Sequence, residues 1–305
     1  MGSRRRAVLV AVFALAVGAV IEAVVLAARS AAATPAEIAR GKYIFGATGG
    51  CGCHTEAGNP PKPPNSGGRK YEGPFGTVYS SNITPDPKTG IGNWTDEQII
   101  TAIRLGRRPN GERLVPVHPF TVFNGMAAED LKTLVAFLRT VKPVNRQVPP
   151  RKLVPLFETI ALPAWLAAFA PRETPPASAP TSGVARGEYL VRAVGHCGEC
   201  HSPRTLTQAT DNARFLGGNA RHPEGAMPNI TPDPDTGIGK WSEDEIAEYL
   251  GSGNKPDGDV AGGLMAEVIE GNLAGYKDMT RADLLAIAKY LKTIPPVKNR
   301  VEIKK

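Results

Sequence analysis

The chain has four cysteines, and they fall in two close pairs, each followed at once by a histidine. Cys197-Gly198-Glu199-Cys200-His201 reads C-x-x-C-H, the attachment motif of c-type haem. Each residue type has a task in that chemistry. The two thiols add across the haem vinyl groups to make thioethers, and one helical turn sets them on the same side. The adjacent histidine presents its imidazole to the iron. Two other chemistries use paired cysteines. A thioredoxin-like redox pair has no need of the histidine, and zinc requires further ligands that do not lie nearby. Covalent haem c is therefore the expected occupant of Cys197, Cys200 and His201.

The other pair departs from this rule. It reads Gly50-Cys51-Gly52-Cys53-His54, which is C-x-C-H. An internal repeat locates the difference. Ala39-Arg40-Gly41-Lys42-Tyr43 matches Ala185-Arg186-Gly187-Glu188-Tyr189 at one offset. His54 matches His201, and Asn82 to Pro87 match Asn229 to Pro234, at an offset one larger. One residue is thus missing inside the first attachment loop. Two residues apart on a helix, side chains point about 200° from each other. Cys53 keeps its place beside His54 and is expected to form a thioether. Cys51 either reaches its vinyl through a distorted loop or stays free.

Each iron also needs a ligand opposite its histidine. Methionine is the usual one in electron carriers, since its soft sulfur favours the reduced state. The second copy offers Met227, Met265 and Met279. Met279 matches Met126 at the start of a final helix and reads as packing. Met265, in the loop Gly262 to Ala266, is the favoured ligand, against the alternative that any of the three fills core space. The repeat puts His118, in Val117-His118-Pro119, where Met265 stands. The expected ligand pairs are therefore His54 with His118 and His201 with Met265. Imidazole in place of sulfur stabilises ferric iron, so the first haem is expected at the lower potential.

These residues need elements to hold them. Each copy reads as a short helix (35–47; 184–194), the cysteine motif, a Gly/Pro-rich loop, a helix opened by Thr95-Asp96-Glu97 or Ser242-Glu243-Asp244, and a closing amphipathic helix (127–141; 281–294). No run of alternating strands stands out, so the expected class is all-α with long loops. The repeat divides the chain into domains at 36–150 and 181–305. Between them, 151–180 reads as a Pro/Ala-rich linker whose apolar stretch 156–170 packs on a domain or a partner. The shared Asn-Ile-Thr-Pro-Asp-Pro loop could hydrogen-bond a haem propionate, or could simply be a Pro/Asp turn. Trp94 and Trp241 are expected in the core, and His196 and His222 on the surface.

Composition sets limits on function. The 33 glycines and 28 prolines are about one residue in five of the 305, which implies many turns. Aromatics are only 6%, consistent with a core that holds a large flat group. The net charge of +7 includes Arg4, Arg5 and Arg6, and Arg29 cancels Glu22, so the rest carries about +4. No basic run with interleaved aromatics follows, which excludes a nucleic-acid footprint. Arg4 to Arg6 precede the apolar run Ala7 to Ile21, then Glu22 and Ala23 to Ala28. Residues 1–33 therefore read as a signal peptide, ending near Ala31-Ala32-Ala33, or as an N-terminal apolar helix anchored in the inner membrane. Both place the bulk of the chain in the periplasm.

The order haem motif, Asn-Ile-Thr-Pro-Asp-x-x-Thr-Gly-Ile-Gly-x-Trp, ligand loop and closing Pro-Val resembles the cytochrome c subunits of bacterial membrane-bound alcohol, gluconate and aldehyde dehydrogenases. The resemblance covers nearly everything after residue 35. It implies two tandem class-I-like cytochrome c domains and two covalently attached haems. It also implies an electron-transfer protein with no substrate chemistry of its own. The expected donor is a periplasmic or membrane-bound dehydrogenase, and the acceptor a quinone, an oxidase or a soluble cytochrome of the respiratory chain. His118 and the shortened cysteine loop depart from the family pattern. Two alternatives follow from them: a dihaem enzyme, such as a thiosulfate dehydrogenase or peroxidase with the first haem as active site, or a first domain that binds no haem and serves for docking.

Overall fold

Gly41 and Gly187, paired by the repeat, show why the first helix of each copy sits where it does. A Cβ on Gly41 would lie 1.9 Å from the Thr133 carbonyl oxygen, and one on Gly187 would lie 1.9 Å from that of Ala286. Only glycine lets the opening and closing helices of each half approach so closely. The computed structural model describes residues 33–58, 62–172 and 174–302. The apolar segment 7–28 and its cleavage or anchoring lie outside them. Among the described residues, no helix is long and apolar enough to cross a membrane.

In the first half, α1 (Pro35–Ala47) is followed by a single turn, Gly52–His54, then by β1 (Lys70–Gly73) and β2 (Gly76–Tyr79). Next come α2 (Asp96–Leu105), the one-turn α3 (Phe120–Phe123) and α4 (Ala128–Leu138). Thr95 opens α2 with a capping box, its hydroxyl accepting from the Gln98 N–H while the Gln98 side chain accepts from the Thr95 N–H. The second half repeats the plan. It has α6 (Gly183–Tyr189), widening into a looser turn at Leu190–Val194, then α7 (Cys197–His201) and α8 (Glu243–Ser252), capped the same way by Ser242 and Glu245. Helices α9 (Gly263–Glu270) and α10 (Arg281–Thr293) complete it.

The all-α expectation needs one correction. β1 and β2 form an antiparallel hairpin, with Lys70 opposite Tyr79 and Gly73 opposite Gly76. β3 (Lys152–Leu153) adds to its edge beside β2. Gly76 adopts a φ of 106°, and a Cβ there would lie 2.2 Å from the Lys152 carbonyl oxygen. Strands of four, four and two residues carry too little alternation to register in sequence. The fold is helix-rich with this small sheet. The linker is also not a free spacer. After β3, residues 155–169 form one helical run ending in α5 (Leu162–Phe169). The chain then binds along the start of α4 through Ala128 N–H to the Pro176 carbonyl and Ala179 N–H to Glu129.

The Asn-Ile-Thr-Pro-Asp-Pro loops are latches. Asn82 Nδ2 donates to the Val144 carbonyl at 2.8 Å, and Asn229 Nδ2 to that of Val297 at 2.6 Å. Their Oδ1 atoms accept from Thr84 and Thr231. This explains why the closing Pro-Val recurs with the loop. It also favours the turn over the propionate alternative, because these buried polar groups already have protein partners.

Residues 36–305 make one compact unit with a continuous core drawn from both halves. Across the seam, the Tyr43 hydroxyl donates to Asp283 at 2.7 Å and that of Tyr189 to Asp130 at 2.8 Å. Within each half the same aspartate holds an arginine, Arg40 on Asp130 and Arg186 on Asp283. The repeated Arg-Gly-x-Tyr and Asp-Leu segments are the two sides of this exchange.

Candidate functional site

The loop ahead of α7 turns through His196, which adopts a left-handed φ of 41°. Cys197 to His201 then make one helical turn that places both thiols and the imidazole. In the first half the missing residue shortens that turn to Gly52–His54, and Cys51 itself takes the left-handed position at φ 48°. Such a conformation costs a non-glycine residue about 1 kcal/mol or more. The Cys51 sulfur lies 3.5 Å from the Thr48 hydroxyl, and Cys53 is exposed.

None of the four cysteines forms a disulfide. Burial pushes Cys51 and Cys197 up to about 11 and Cys200 up to about 12. Thiols so protonated are poor nucleophiles, which argues against a thioredoxin-like pair. Among the described residues no three His, Cys, Asp or Glu side chains gather as a metal cage, so the zinc alternative has no support either.

Each motif histidine has one ring nitrogen committed to a backbone carbonyl. His54 Nδ1 donates to the Ser81 carbonyl at 2.7 Å, and His201 Nδ1 to the Pro228 carbonyl at 2.8 Å. A carbonyl only accepts, so the hydrogen sits on Nδ1 and the Nε2 lone pair is left for a metal. Burial lowers both pKa values, keeping the rings neutral. His118 comes to His54 from the segment before α3, with ring centroids 6.5 Å apart and planes at 73°. Two imidazoles that share one metal, with bonds of about 2.0 Å and ring centres about 1.1 Å further out, are separated by about 6.3 Å. The pair therefore fits a common iron.

His118 is packed by Phe120 and Phe123. Burial, with the nearby charges of His54, His196 and Arg108, pushes its pKa down to about 3. Its buried Nδ1 has no hydrogen-bond partner, and neither do both amide atoms of Asn65, Nε of Arg104 and Nε of Arg113. Every such orphaned side-chain atom among the described residues belongs to the first half. Asn65 takes the place of Leu216, as equivalent backbone bonds to Ile83 and Ile230 show. An unmet need for partners here fits a polar group bound beside His54 and His118.

Met265 is corrected from a loop to α9, where it is half-buried against the core. Met126 and Met279 are buried, as their packing role requires. Trp94 and Trp241 pack on the core from its edge. His196 and His222 are half-buried and not fully exposed. The His196 ring meets Phe123 at 5.2 Å across the seam, and burial with Arg204 and His201 nearby pushes His222 down to about 4. No motif marks either residue, so only the tertiary fold reveals them. The attachment loops also meet across the seam. Arg69 of the first half binds Glu224 at 3.0 Å, Glu267 at 2.9 Å and the Gly52 carbonyl at 3.4 Å. The Cys53 and Cys200 thiols are near enough to perturb each other electrostatically.

No protein-family model matches the chain. Whole-sequence comparison finds relatives. A dihaem c-type cytochrome of Cereibacter sphaeroides is 38% identical over 277 residues, covering 86% of this chain and 87% of that protein. The cytochrome c subunit of a quinone-linked alcohol dehydrogenase of Gluconobacter oxydans is 40% identical over 281 residues, 89% of this chain and 57% of that one. The fructose dehydrogenase cytochrome subunit of Gluconobacter japonicus is 37% identical over 262 residues, 85% and 52% respectively. The chain thus spans little more than half the length of these dehydrogenase subunits.

Proposed function

Because the chain belongs to the family of dihaem c-type cytochromes and dehydrogenase cytochrome c subunits, we propose that it carries two covalent haems c and relays electrons from a partner dehydrogenase to an acceptor of the respiratory chain. The family is one of electron-transfer proteins, not of catalytic subunits. Bound haem c supplies a reversible one-electron iron couple. Cys197 and Cys200 would anchor the second haem, with His201 and Met265 as its iron ligands. Cys53, with or without Cys51, would anchor the first, held between His54 and His118. The observation that carries this reading is the 6.5 Å His54–His118 separation, reached from two segments more than sixty residues apart in sequence.

Protein side chains do the remaining work. The Ser81 and Pro228 carbonyls orient the proximal rings and fix their tautomers. Arg104 and Arg113, whose Nε atoms lack partners, are suited to bind propionates, as is the Asn65 amide. Phe120 and Phe123 exclude water from His118. His54 and His118 would supply two nitrogen ligands to the first iron, and His201 and Met265 a nitrogen and a sulfur to the second, a donor set suited to electron transfer. Export to the periplasm, directed by residues 1–33, is part of the same proposal, as are the dehydrogenase donor and a quinone, oxidase or soluble cytochrome acceptor.

Two measurements on protein from a haem-c-competent host test this reading. Covalent haems survive denaturation, so the intact denatured mass should show two additions. A reductive titration should then resolve two unequal potentials, the first haem being the harder to reduce. Two indistinguishable haems would refute the proposed ligand assignment, and a single haem addition would refute covalent attachment at Cys53.

A further inference from the structure

Arg108 has no role in any motif, yet it is tied to the first site. It lies just beyond α2, and its Nη2 donates to the Ser81 hydroxyl at 2.6 Å. The carbonyl of the same serine accepts from His54 Nδ1 at 2.7 Å. One residue thus carries a cation on its side chain and the proximal imidazole on its backbone. The charge of Arg108 also acts on both histidines, helping to depress the pKa of His54 and of His118.

The second half lacks this arrangement. Pro228 stands where Ser81 stands and has no hydroxyl to offer. Lys255 stands where Arg108 stands, and its ammonium is committed to Asp259 at 2.8 Å. The positions of Arg104 and Arg113 are held by Gly251 and Val260. At these matched positions the first half carries guanidiniums and the second does not, and the arginine nearest the second attachment turn, Arg204, is neutralised by Glu199 at 2.9 Å. Glu112 offsets part of that charge. It pairs with Arg108 at 3.2 Å but also with Arg151 at 2.9 Å, and Arg151 is held in turn by the half-exposed Glu158. Among the described residues neither Arg104 nor Arg113 pairs with a carboxylate.

We propose that Arg108 is a positioning residue of the first haem site: through Ser81 it holds the carbonyl that orients His54, and its charge raises the potential of the haem bound there. The physical reasons act together. A cation near the site opposes the extra positive charge of ferric iron. A cation on Ser81 also makes that residue a weaker acceptor, which leaves less imidazolate character on His54 and favours ferrous iron. Arg108 so counteracts the second imidazole ligand, and the two haems lie closer in potential than their ligands alone dictate. A unit charge close to the site, at an effective dielectric near 20 and partly offset by Glu112, is expected to change the ferrous/ferric equilibrium by about tenfold.

The inference rests on His54 and His118 sharing an iron, and the test separates the two. Spectroelectrochemical titration is run on full-length, haem-loaded wild type, Arg108→Gln, Arg108→Lys, Ser81→Ala and Lys255→Gln. Arg108→Gln should shift electron sharing about tenfold toward the second haem, equivalent to about 59 mV for a one-electron couple. Arg108→Lys, which keeps the charge, should recover most of that shift. Ser81→Ala should move the first haem the same way by less, and it serves alone if Arg108→Gln does not fold. Lys255→Gln should move neither haem. If two haems are attached, with a bis-imidazole spectrum for the first, and neither Arg108→Gln nor Ser81→Ala moves its potential, the role of Arg108 is overturned. If the wild type shows one haem, or no bis-imidazole centre, the underlying ligand assignment fails and takes this inference with it.

Discussion

Replacing Asp283 by alanine is expected to cost more stability than replacing Asp130, although the two carboxylates make equivalent bonds. Asp283 accepts from Arg186 Nε at 3.0 Å, Arg186 Nη2 at 2.8 Å and the Tyr43 hydroxyl at 2.7 Å. Asp130 accepts from Arg40 at 3.0 and 2.8 Å and from Tyr189 at 2.8 Å. The difference lies in the arginines. The Arg186 side chain is 4% exposed, whereas that of Arg40 is 38% exposed. Asp283→Ala therefore strands a buried guanidinium, at a cost of about 3–5 kcal/mol. Arg40 can turn to water, so Asp130→Ala mainly loses the Tyr189 bond to a charged acceptor, about 1.5–3 kcal/mol. A gap of about 2 kcal/mol corresponds to roughly 3 °C in melting midpoint for a chain of this size. Thermal unfolding of the haem-loaded variants, followed by far-ultraviolet circular dichroism, measures it. Equal midpoints, or a lower one for Asp130→Ala, would show that burial of the arginine does not control the cost.

Acid should weaken the same seam. Burial pushes the Asp283 carboxyl up, but hydrogen bonds from Arg186 and Tyr43 and the charges of Arg186 and Arg40 overcome this and leave it below the ordinary carboxylate range. Its stabilisation is then fully present above the unfolded value of about 3.9 and is lost as pH falls through the lowered folded value. Urea midpoints measured from pH 6 down to 3 should fall less steeply in Asp283→Asn than in wild type. Gly187→Ala should force α6 and α10 apart, because the new Cβ would lie 1.9 Å from a backbone oxygen. A loss of about 1–3 kcal/mol or more is expected in denaturant unfolding. His118→Met should raise the potential of the first haem, so that the two waves of a reductive titration draw together.

The parts legible in sequence were those written into residue types at fixed spacing. The attachment motifs, the capped starts of α2 and α8, and α1 at Pro35–Ala47 all follow from local rules. The repeat also pointed to His118 as the counterpart of Met265, and the fold brings His118 to His54. What escaped depends on distant partners. β3 exists because a linker dipeptide meets the edge of a hairpin more than seventy residues earlier. The burial of His196 arises from Phe123 in the other half. Arg108 is one basic residue among 36 until Ser81 is seen to join it to His54. The stretch Gly262 to Ala266 reads as a loop in sequence, yet Gly263, in a left-handed conformation, begins α9.

The exchange of Tyr43 and Tyr189 between the two halves is also a trace of ancestry. When two identical subunits pair about a twofold axis, residue i of one meets j of the other, and j meets i. Tyr43 to Asp283 and Tyr189 to Asp130 obey that rule inside a single chain. That is the pattern expected of a self-pairing protein whose two copies had been joined, with residues 151–180 lying between them. In a homodimer every substitution occurs twice, so both sites must change together. Fusion removes that constraint. Within one chain the first copy can carry a shortened cysteine loop, and His118 where the other has Met265, without any matching change in the second.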